Sequence, residues 1–197
     1  MTPESQPALR PTSSFAIDVP PALLARAQAG QRQALEQIYR CFERPVFNLA
    51  LRIVGEREEA SEILQDTMLK VIDHISAFRG GAPFWGWLRQ IAVNEALMHL
   101  RRGRRQSLEL TGDDENGFGE DTAPLPPAAA DAAQLHRALQ SLPVATRSVL
   151  WLYHAEGYTH EEIGTLMQRT PSFSKSQLAR GTRRLRTLLQ VEEPIHA

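Results

Sequence analysis

The sequence predicts an all-α protein made of two helical domains joined by a flexible acidic linker. Apolar residues recur at spacings of three and four over most of the chain, and no segment shows the sustained apolar–polar alternation of a half-buried strand. A stretch rich in acids, glycine and proline interrupts this pattern. We therefore expect a disordered tail over 1–20, a first helical domain over 21–105, a linker over 106–131 and a second helical domain over 132–191.

The N-terminal tail holds four prolines and few large apolar residues, a composition typical of a disordered segment. Helical periodicity starts near Pro21. Pro45 predicts a kink or a restart within this stretch, and Gly55 is a suitable C-terminal cap. Cys41 is the single cysteine, so an intramolecular disulfide is excluded, and we expect its side chain to be buried as a small apolar group.

The next helix is expected from about Arg57 to Ala77, and acids are concentrated in its first turns, where they interact favourably with the helix dipole. Its expected buried stripe consists of Ile63, Leu64, Met68, Val71, Ile72 and Ile75. Gly80 and Gly81 end this helix. A further helix begins near Pro83 and leads to a cluster of four arginines, namely Arg101, Arg102, Arg104 and Arg105.

The linker contrasts with this arginine cluster. Between Glu109 and Asp121 there are six acids and no bases. Opposite charges therefore cancel in the formal net charge of -1 while remaining separate along the chain. Beyond the linker, Leu135 and the apolar residues that follow it open a second helical unit, and Pro143 starts the next helix.

The last part of this unit is predicted to be a helix-turn-helix. Thr159 and Glu162 have the spacing of a capping box, and Thr170 followed by Pro171 begins the second helix. The inward side of that helix is expected to consist of Leu178, Thr182, Leu185 and Leu189. Its cationic and amide side chains lie off this stripe, which suits the major groove of DNA. A surface-exposed amphipathic helix without DNA is the alternative.

Several function classes receive no support from the sequence. There is no apolar run long enough for a transmembrane helix and no signal peptide, so we expect a cytoplasmic protein without direct membrane insertion. The six histidines are scattered and do not form zinc-site spacings with a cysteine. Glu62, Asp66 and His74 share one helix, but nothing orients a nucleophile and there is no phosphate cradle. We expect no catalytic residue, no metal and no cofactor.

Two segments resemble the extracytoplasmic-function (ECF) sigma factors of bacterial RNA polymerase, members of the sigma-70 family. The run from Glu59 to Arg102, EASEILQDTMLKVIDHISAFRGGAPFWGWLRQIAVNEALMHLRR, resembles their region 2, and residues 135–189 resemble their region 4. The order of the two segments, the linker and the total length also match. The resemblance implies a subunit that binds core RNA polymerase through the β′ clamp and β subunits, recognises promoter DNA, and has an anti-sigma factor as a possible partner.

The resemblance places polymerase binding on the helix that begins near Glu59. The residues carried over to this contact are Glu62, Leu64, Gln65, Asp66, Met68 and Lys70. An acidic and amide row can pair with a basic partner helix, although such a row alone is also typical of a solvated helix face. Ser61 stands where the family often has an acid.

The resemblance implies that the segment after Phe78 opens and reads the −10 promoter element. The expected contacts are Arg79, Trp85, Arg89, Asn94, Arg101, Arg102, Arg104 and Arg105. A base is read on its Watson–Crick edge only after it leaves the stack, so cations must hold the strand and flat side chains must accept bases. Phe84 and Trp87 are expected in the core rather than as stacking platforms. Met98 stands where an aspartate is common.

The helix-turn-helix is implied to read the −35 element as duplex. The expected contacts are Ser172, Phe173, Ser174, Lys175, Gln177, Arg180, Arg183 and Arg184. Arg180 can form two hydrogen bonds with guanine, and Gln177 can pair with adenine. Arg183 and Arg184 are expected to contact phosphates. The turn Gln168–Pro171 departs from the usual glycine and small apolar residues. The alternative function is a helix-turn-helix transcriptional regulator whose N-terminal domain senses a ligand or dimerises.

Overall fold

The computed structural model describes residues 13–110 and 127–189, with side chains described at 13–103 and 133–189. The described chain is helical and contains no strand, so the all-α prediction is confirmed. The elements are α1 (Pro21–Gln28), α2 (Arg32–Val54), α3 (Arg57–His74), a short 3-10 helix (Ile75–Ala77), α4 (Phe84–Leu110), α5 (Pro127–Gln140), α6 (Val144–His154), α7 (His160–Met167) and α8 (Pro171–Leu188). We call α1–α4 the N-terminal unit and α5–α8 the C-terminal unit.

The N-terminal unit is built around α2, which packs against α1, α3 and α4. Gly55 ends α2 in the left-handed region, with φ 96°, and its N–H donates to the carbonyl oxygen of Leu51. This confirms the predicted cap. The restart predicted as one alternative at Pro45 is wrong, because α2 is one continuous helix in which Pro45 is buried. The packing of the residues on either side of Pro45 outweighs the lost helical hydrogen bond.

The N-terminal segment is more ordered than predicted. Phe15 is fully buried and its ring stacks on Phe42, with 6.5 Å between the ring centroids. Phe42 in turn meets Phe84 edge-on at 5.9 Å. The expectation of disorder is therefore wrong for residues 13–20, because Phe15 supplies a large apolar side chain to the core. Residues 1–12 lie outside the described residues.

Two further predictions of burial are wrong, and both concern residues at the edge of the buried side of a helix. Cys41 is exposed rather than buried, because larger side chains such as Phe42 fill the core face of α2. Ile72 is 45% exposed, because Met68, Val71 and Ile75 already occupy the buried side of α3. Periodicity locates a stripe correctly but does not fix how wide it is.

The described helices extend into the predicted linker. Helix α4 continues to Leu110 and α5 starts at Pro127, so helical structure occupies both ends of the range 106–131. Residues 111–126, which hold most of the acids, lie outside the described residues. Thus the flexible character expected of the acidic stretch stays a prediction.

The two units are packed together rather than only tethered. Helix α2 contacts α6, and α4 contacts α7. The buried side chains of Val149, Leu152, Tyr158 and Ile163 belong to the same apolar core as those of the N-terminal unit. A second, smaller core lies within the C-terminal unit, where Leu139, Leu142 and Leu150 pack with Leu178 and Leu185.

The predicted helix-turn-helix is formed by α7 and α8. Thr159 accepts from the backbone N–H of Glu162, whose carboxylate accepts from the N–H of Thr159, so the capping box is complete. Thr170 caps α8 through the N–H of Phe173. Between the helices, Gln168 adopts a left-handed conformation with φ 54°. The turn Gln168–Pro171 therefore reverses the chain without the usual glycine.

Candidate nucleic-acid interface

Helix α8 presents a cationic surface. The side chains of Ser172, Lys175, Arg180, Arg183 and Arg184 are exposed. Helix α8 begins at Pro171, and its apolar side packs against α6 and α7. The five exposed side chains therefore lie on the opposite, outer side of the helix. A row of exposed lysine and arginine on one helix matches the charge of a DNA groove and its flanking phosphates.

Three residues predicted at this surface are engaged in the fold. Ser174 is 0% exposed, and its hydroxyl lies 2.9 Å from Nδ1 of His160. Gln177 is half-buried and its Oε1 accepts from the Thr146 hydroxyl at 2.6 Å. Phe173 is half-buried beneath the guanidinium of Arg169. Ser174 is thus not part of the exposed surface, because it joins α8 to the start of α7.

A cleft of about 370 Å³ lies beside α8. Its lining is a mixture of apolar and cationic side chains, made of His160, Lys175, Leu178, Ala179, Thr182, Arg183 and Arg186. Sequence reasoning did not connect His160 with α8, because the two are brought together only by the turn between the helices. The cationic side chains of the cleft all belong to α8, and His160 forms its edge at the start of α7.

Close approach of helices fixes the position of α8. A Cβ at Gly181 would lie 2.7 Å from Cδ1 of Leu150 and 2.7 Å from Cγ2 of Thr146. A Cβ at Gly164 would lie 2.9 Å from the carbonyl oxygen of Arg169. Glycine is therefore required for α8 to reach α6 and for the turn to stay tight. Neither position was singled out from the sequence, since glycine within a helical pattern gives no sign of its neighbours.

The residues predicted at the −10 surface lie on different sides of α4. Nine positions separate Trp85 from Asn94, which places them on opposite sides of a helix that turns about 100° per residue. Asn94 is exposed and accepts from Gln90 at 3.4 Å, and Arg102 is exposed as well. Arg101 is half-buried and donates from Nε to the carbonyl oxygen of Leu97. Arg79 is exposed before the helix, and the side chains of Arg104 and Arg105 lie outside the described ones.

The aromatic residues of α4 all contact the core, and Phe84 is the most buried of them. Phe84 is buried, and the ring of Trp87 lies 5.5 Å from it and 5.4 Å from Phe78. Both therefore belong to the core, which confirms that prediction. Trp85 is half-buried, with the guanidinium carbon of Arg89 5.4 Å from its ring centroid. Trp85 therefore packs at the edge of the core and also contacts a cation.

Arg89 is held by the C-terminal unit. Its Nη1 donates to the carbonyl oxygen of Glu156 at 2.8 Å and lies 3.8 Å from the Glu156 carboxylate. Its guanidinium carbon also lies 4.8 Å from the ring centroid of Tyr158. Burial raises the pKa of the Tyr158 phenol above its usual value, while the nearby Arg89 acts to lower it. A residue predicted to contact DNA is therefore occupied by protein groups in this arrangement.

The helix predicted to bind polymerase has an exposed face of mixed chemistry. Glu62, Gln65 and Asp66 are exposed, and Leu69 and Ile72 continue the same side with 59% and 45% of their surface exposed. We call these five residues the α3 face. Exposed large apolar side chains next to polar ones are typical of protein-binding surfaces. Sequence reasoning missed Leu69, although its spacing from Asp66 places it on this side.

The other residues predicted to bind polymerase, Leu64, Met68 and Lys70, are not part of the α3 face. Met68 is only 4% exposed and Leu64 is half-buried, so both pack mainly inside the N-terminal unit. Lys70 forms an ion pair with Glu95 of α4 at 2.6 Å. Met68 is therefore not available to a partner. Ser61 is exposed, and its hydroxyl donates to the carbonyl oxygen of Arg57.

The described residues hold neither a metal-binding cluster nor a membrane-spanning helix. Within 13–103 and 133–189, no group of three or more His, Cys, Asp or Glu side chains could hold a metal ion. No described helix is both long and apolar enough to cross a membrane.

The sequence matches two family descriptions in the same order as the two units. Residues 38–106 match Sigma-70 region 2, and residues 132–185 match Sigma-70, region 4. The chain belongs to the sigma-70 family. Its N-terminal unit contains region 2 and its C-terminal unit contains region 4, so the resemblance stated from the sequence is confirmed.

Its relatives include named sigma factors of the ECF group. The chain is 30% identical over 178 residues to the RNA polymerase sigma-H factor of Pseudomonas aeruginosa, and the match covers 85% of this chain and 92% of that protein. It is 32% identical over 167 residues to the ECF RNA polymerase sigma factor SigM of Mycobacterium tuberculosis, covering 85% and 83%.

Solved structures share the fold. The sigma factor RpoE in complex with the anti-sigma factor NepR from Bartonella quintana matches with a TM-score of 0.60 at 22% identity, over 80% of this chain and 98% of that one. CnrH in complex with the cytosolic domain of CnrY matches with a TM-score of 0.51 at 18% identity, over 87% and 97%.

Proposed function

We propose that this sigma factor binds core RNA polymerase and directs it to promoters by recognising a −10 and a −35 element. The observation that carries the proposal is that region 2 and region 4 each present an exposed surface of the required chemistry. The α3 face combines apolar and acidic groups, and α8 presents exposed cations. The first suits a protein partner and the second suits DNA.

At the −35 element, α8 enters the major groove. Arg180 is the proposed reader of guanine, because its exposed guanidinium can donate two hydrogen bonds to one base edge. Lys175, Arg183 and Arg184 contact phosphates and set the position of the helix. Ser172 and Phe173 lie at the N-terminal end of α8, where a recognition helix approaches base edges. Gln177 reaches adenine only if it releases the Thr146 hydroxyl.

At the −10 element, α4 binds the displaced strand. Asn94 and Arg102 are exposed and need no rearrangement to meet DNA. Arg79, Arg101, Arg104 and Arg105 contribute further positive charge along the strand. Arg89 joins this surface when its contacts with Glu156 and Tyr158 open, and Trp85 lies beside it. Trp85 then offers a flat surface on which an unstacked base can rest.

At the polymerase, the α3 face binds the β′ clamp. Leu69 and Ile72 supply apolar contact area, and the flanking Glu62, Gln65 and Asp66 orient the partner through charge and hydrogen bonds. Leu64 lies at the margin of this contact. Lys70 contributes mainly by holding α3 against α4 through Glu95.

The protein acts by binding, and the polymerase performs the chemistry of transcription. It requires no cofactor or metal in this role. It works in the cytoplasm, where core polymerase and promoter DNA are found. An anti-sigma factor is a further proposed partner, because one solved neighbour, the sigma factor RpoE of Bartonella quintana, is in complex with the anti-sigma factor NepR.

Gel shifts with and without core polymerase test the proposal. The probes are double-stranded DNA fragments from a promoter library. We expect a stable shifted complex only when both the chain and core polymerase are present. Tight binding by the chain alone, unaffected by core polymerase, would instead support the helix-turn-helix regulator, which the comparisons do not favour.

A further inference from the structure

The cleft beside α8 combines a row of cations with a histidine from another helix. Its cationic side chains, Lys175, Arg183 and Arg186, follow one another at intervals of eight and three positions, so they share one side of α8. Lys175 and Arg183 are exposed and also belong to the cationic surface of that helix. His160, the first residue of α7, forms the edge of the cleft. The cleft is therefore continuous with the surface proposed for the −35 element.

Two contacts fix the orientation of the half-buried His160 imidazole. Its Nδ1 lies 2.9 Å from Oγ of Ser174, a side chain with 0% exposure. Its ring stacks on Tyr153, with 4.7 Å between the ring centroids and 17° between the planes. Since Nδ1 is occupied by Ser174, Nε2 is the ring nitrogen that is left for a ligand in the cleft.

The contact with Ser174 is compatible with both charge states of His160. A hydroxyl can donate to a neutral imidazole nitrogen and can accept from a protonated one. The buried hydroxyl of Ser174 therefore keeps the partner that a buried polar group needs in either state. Protonation of His160 thus adds a positive charge to the cleft without breaking the junction between α7 and α8, and Nε2 carries a hydrogen atom in both states.

The surroundings of His160 make an anion the ligand that the cleft suits. Three cations line the cleft, so it is positively charged with or without a proton on the imidazole. On α4, which also packs against α7, Arg89 is held by Glu156 and Tyr158. The charged and titratable groups beside His160 are Lys175, Arg183 and Arg186 of α8, Glu161 and Glu162 of α7, and Tyr153 and His154 of α6.

We propose that His160 is a DNA-contacting residue, which donates from Nε2 to a phosphate of the −35 duplex beside Lys175 and Arg183, and that protonation of His160 tightens this contact. The proposal rests on the proposed function, because reading of the −35 element is what brings DNA to α8. Histidine is the side chain that ordinarily changes its charge between about pH 5 and 8. Lysine and arginine keep theirs over this interval.

The direction of the pH dependence follows from the charge of the phosphate. A phosphate next to the ring favours the imidazolium over the neutral imidazole. The complex therefore binds more protons than the free protein, and its formation is favoured at low pH and weakened as the pH rises. We expect a change of about tenfold, the scale of one charge-assisted hydrogen bond. One additional phosphate contact also steepens the salt dependence by about one unit.

The test measures DNA affinity of the full chain by fluorescence anisotropy with a labelled mixed-sequence duplex, because phosphate contacts do not depend on sequence. Titrations cover about pH 5 to 8, at several salt concentrations. His160→Gln is the main variant, because its amide offers Ser174 a partner but cannot become charged. His160→Lys is the second variant, because its ammonium stays charged throughout. Circular dichroism checks that both variants remain helical.

His154→Gln is the control, because His154 is exposed on α6 and meets Tyr153 edge-on at 5.1 Å but does not line the cleft. Wild type and control should bind about tenfold more tightly at the acidic end than at the alkaline end. His160→Gln should lose this difference, and His160→Lys should bind tightly at every pH. If His160→Gln keeps the wild-type pH dependence, or if the salt dependence of the wild type is the same at both ends, the proposal is wrong.

A free phosphate has the same chemistry as a phosphate of DNA, and calorimetry with inorganic phosphate distinguishes the two. We expect no measurable heat, because a single phosphate lacks the neighbouring contacts that duplex DNA makes along α8. Binding of inorganic phosphate that disappears in His160→Gln, with DNA affinity unchanged in that variant, would assign the cleft to a free anion and overturn the proposal.

Run-off transcription separates this proposal from the proposed function. If the chain does not support transcription with core polymerase but its duplex affinity depends on pH through His160, only the proposed function fails. If transcription occurs and the pH dependence of duplex binding is the same in wild type and His160→Gln, only the role of His160 is wrong.

Discussion

Nη2 of Arg147 in α6 lies 2.9 Å from the carbonyl oxygen of Val54, the last residue of α2. A side chain of region 4 thereby caps a helix of region 2 that lies 93 positions earlier in the chain. Burial lowers the pKa of the Arg147 guanidinium, but arginine stays protonated in proteins at any ordinary pH. The cation is therefore available to the helix end throughout the working pH range.

Gly55 leaves the space that the Arg147 guanidinium occupies at the end of α2. A Cβ at Gly55 would lie 3.0 Å from Nη2 of Arg147, and φ at Gly55 is 96°. We expect Gly55→Ala to lower the free energy of unfolding for two reasons. The left-handed conformation costs alanine ~1–2 kcal/mol, and the added methyl group crowds the Arg147 guanidinium. Chemical denaturation measures the loss.

The matched control is Gly30→Ala, where φ is also positive, at 76°, but no atom lies within 4 Å of the added Cβ. Gly30→Ala should show the conformational loss alone. The loss at Gly55 should exceed it by on the order of 1 kcal/mol, the scale of a tight steric conflict. Equal losses at the two glycines would show that the Arg147 cap is not crowded by the methyl group.

The α3 face should carry polymerase binding. Leu69→Ser changes a side chain that is 59% exposed, so folding stability should change little. Affinity for core polymerase should fall about tenfold, in keeping with the 1–2 kcal/mol of a moderate interface residue. Fluorescence anisotropy of the labelled chain titrated with core enzyme measures this.

Leu135→Ser serves as the control, since Leu135 is similarly exposed, at 42%, but lies on α5. It should leave the affinity for core polymerase unchanged. An equal loss for both variants would show that general surface hydrophobicity, rather than the α3 face, determines binding.

Arg180 and Arg183 should differ in what they contribute at the −35 element. Arg180→Ala is expected to reduce discrimination against a substituted guanine by about 1–3 kcal/mol. Arg183→Ala should weaken binding to all sequences alike and lower the salt dependence by about one phosphate contact. Competition gel shifts at several salt concentrations, with polymerase holoenzyme, measure both effects. Loss of specificity with Arg183→Ala and not with Arg180→Ala would contradict the assignment.

Tyr158 should make stability depend on pH at alkaline values. Burial raises its pKa in the folded protein, so the unfolded chain loses this proton first. Its contribution is therefore fully present below the unfolded pKa of about 10 and is lost as the pH rises through the higher folded value. Tyr158→Phe should flatten this decline in urea unfolding experiments, whereas Tyr39→Phe, at an exposed position, should not. The same decline in both variants would show that Tyr158 is not its source.

Local features of the fold could be predicted from the sequence because each depends on neighbours within a few residues. The cap at Gly55, the capping box of Thr159 and Glu162, and the start of α8 at Pro171 are of this kind. Each one satisfies backbone groups of its own helix end. The two-part helical organisation followed from the same periodicity.

Contacts between distant segments could not be predicted in this way. Arg147 and Glu156 look like ordinary surface charges in the sequence, and their partners lie in another unit of the chain. Cys41, Ile72 and Ser174 stand at the margins of helix faces, where the neighbouring helix decides whether a side chain is covered. Phe15 was misjudged because a single aromatic residue in a polar, proline-rich tail can still fill a gap in a core.

Run-off transcription with purified core polymerase on a promoter library tests the central claim most directly. The account predicts transcripts that start only when this chain is added, from templates that share one −35 and one −10 sequence, with strong loss for Arg180→Ala on those templates. If the chain neither co-elutes with core polymerase nor changes which templates are transcribed, it does not act as a promoter-specificity subunit and the account is contradicted.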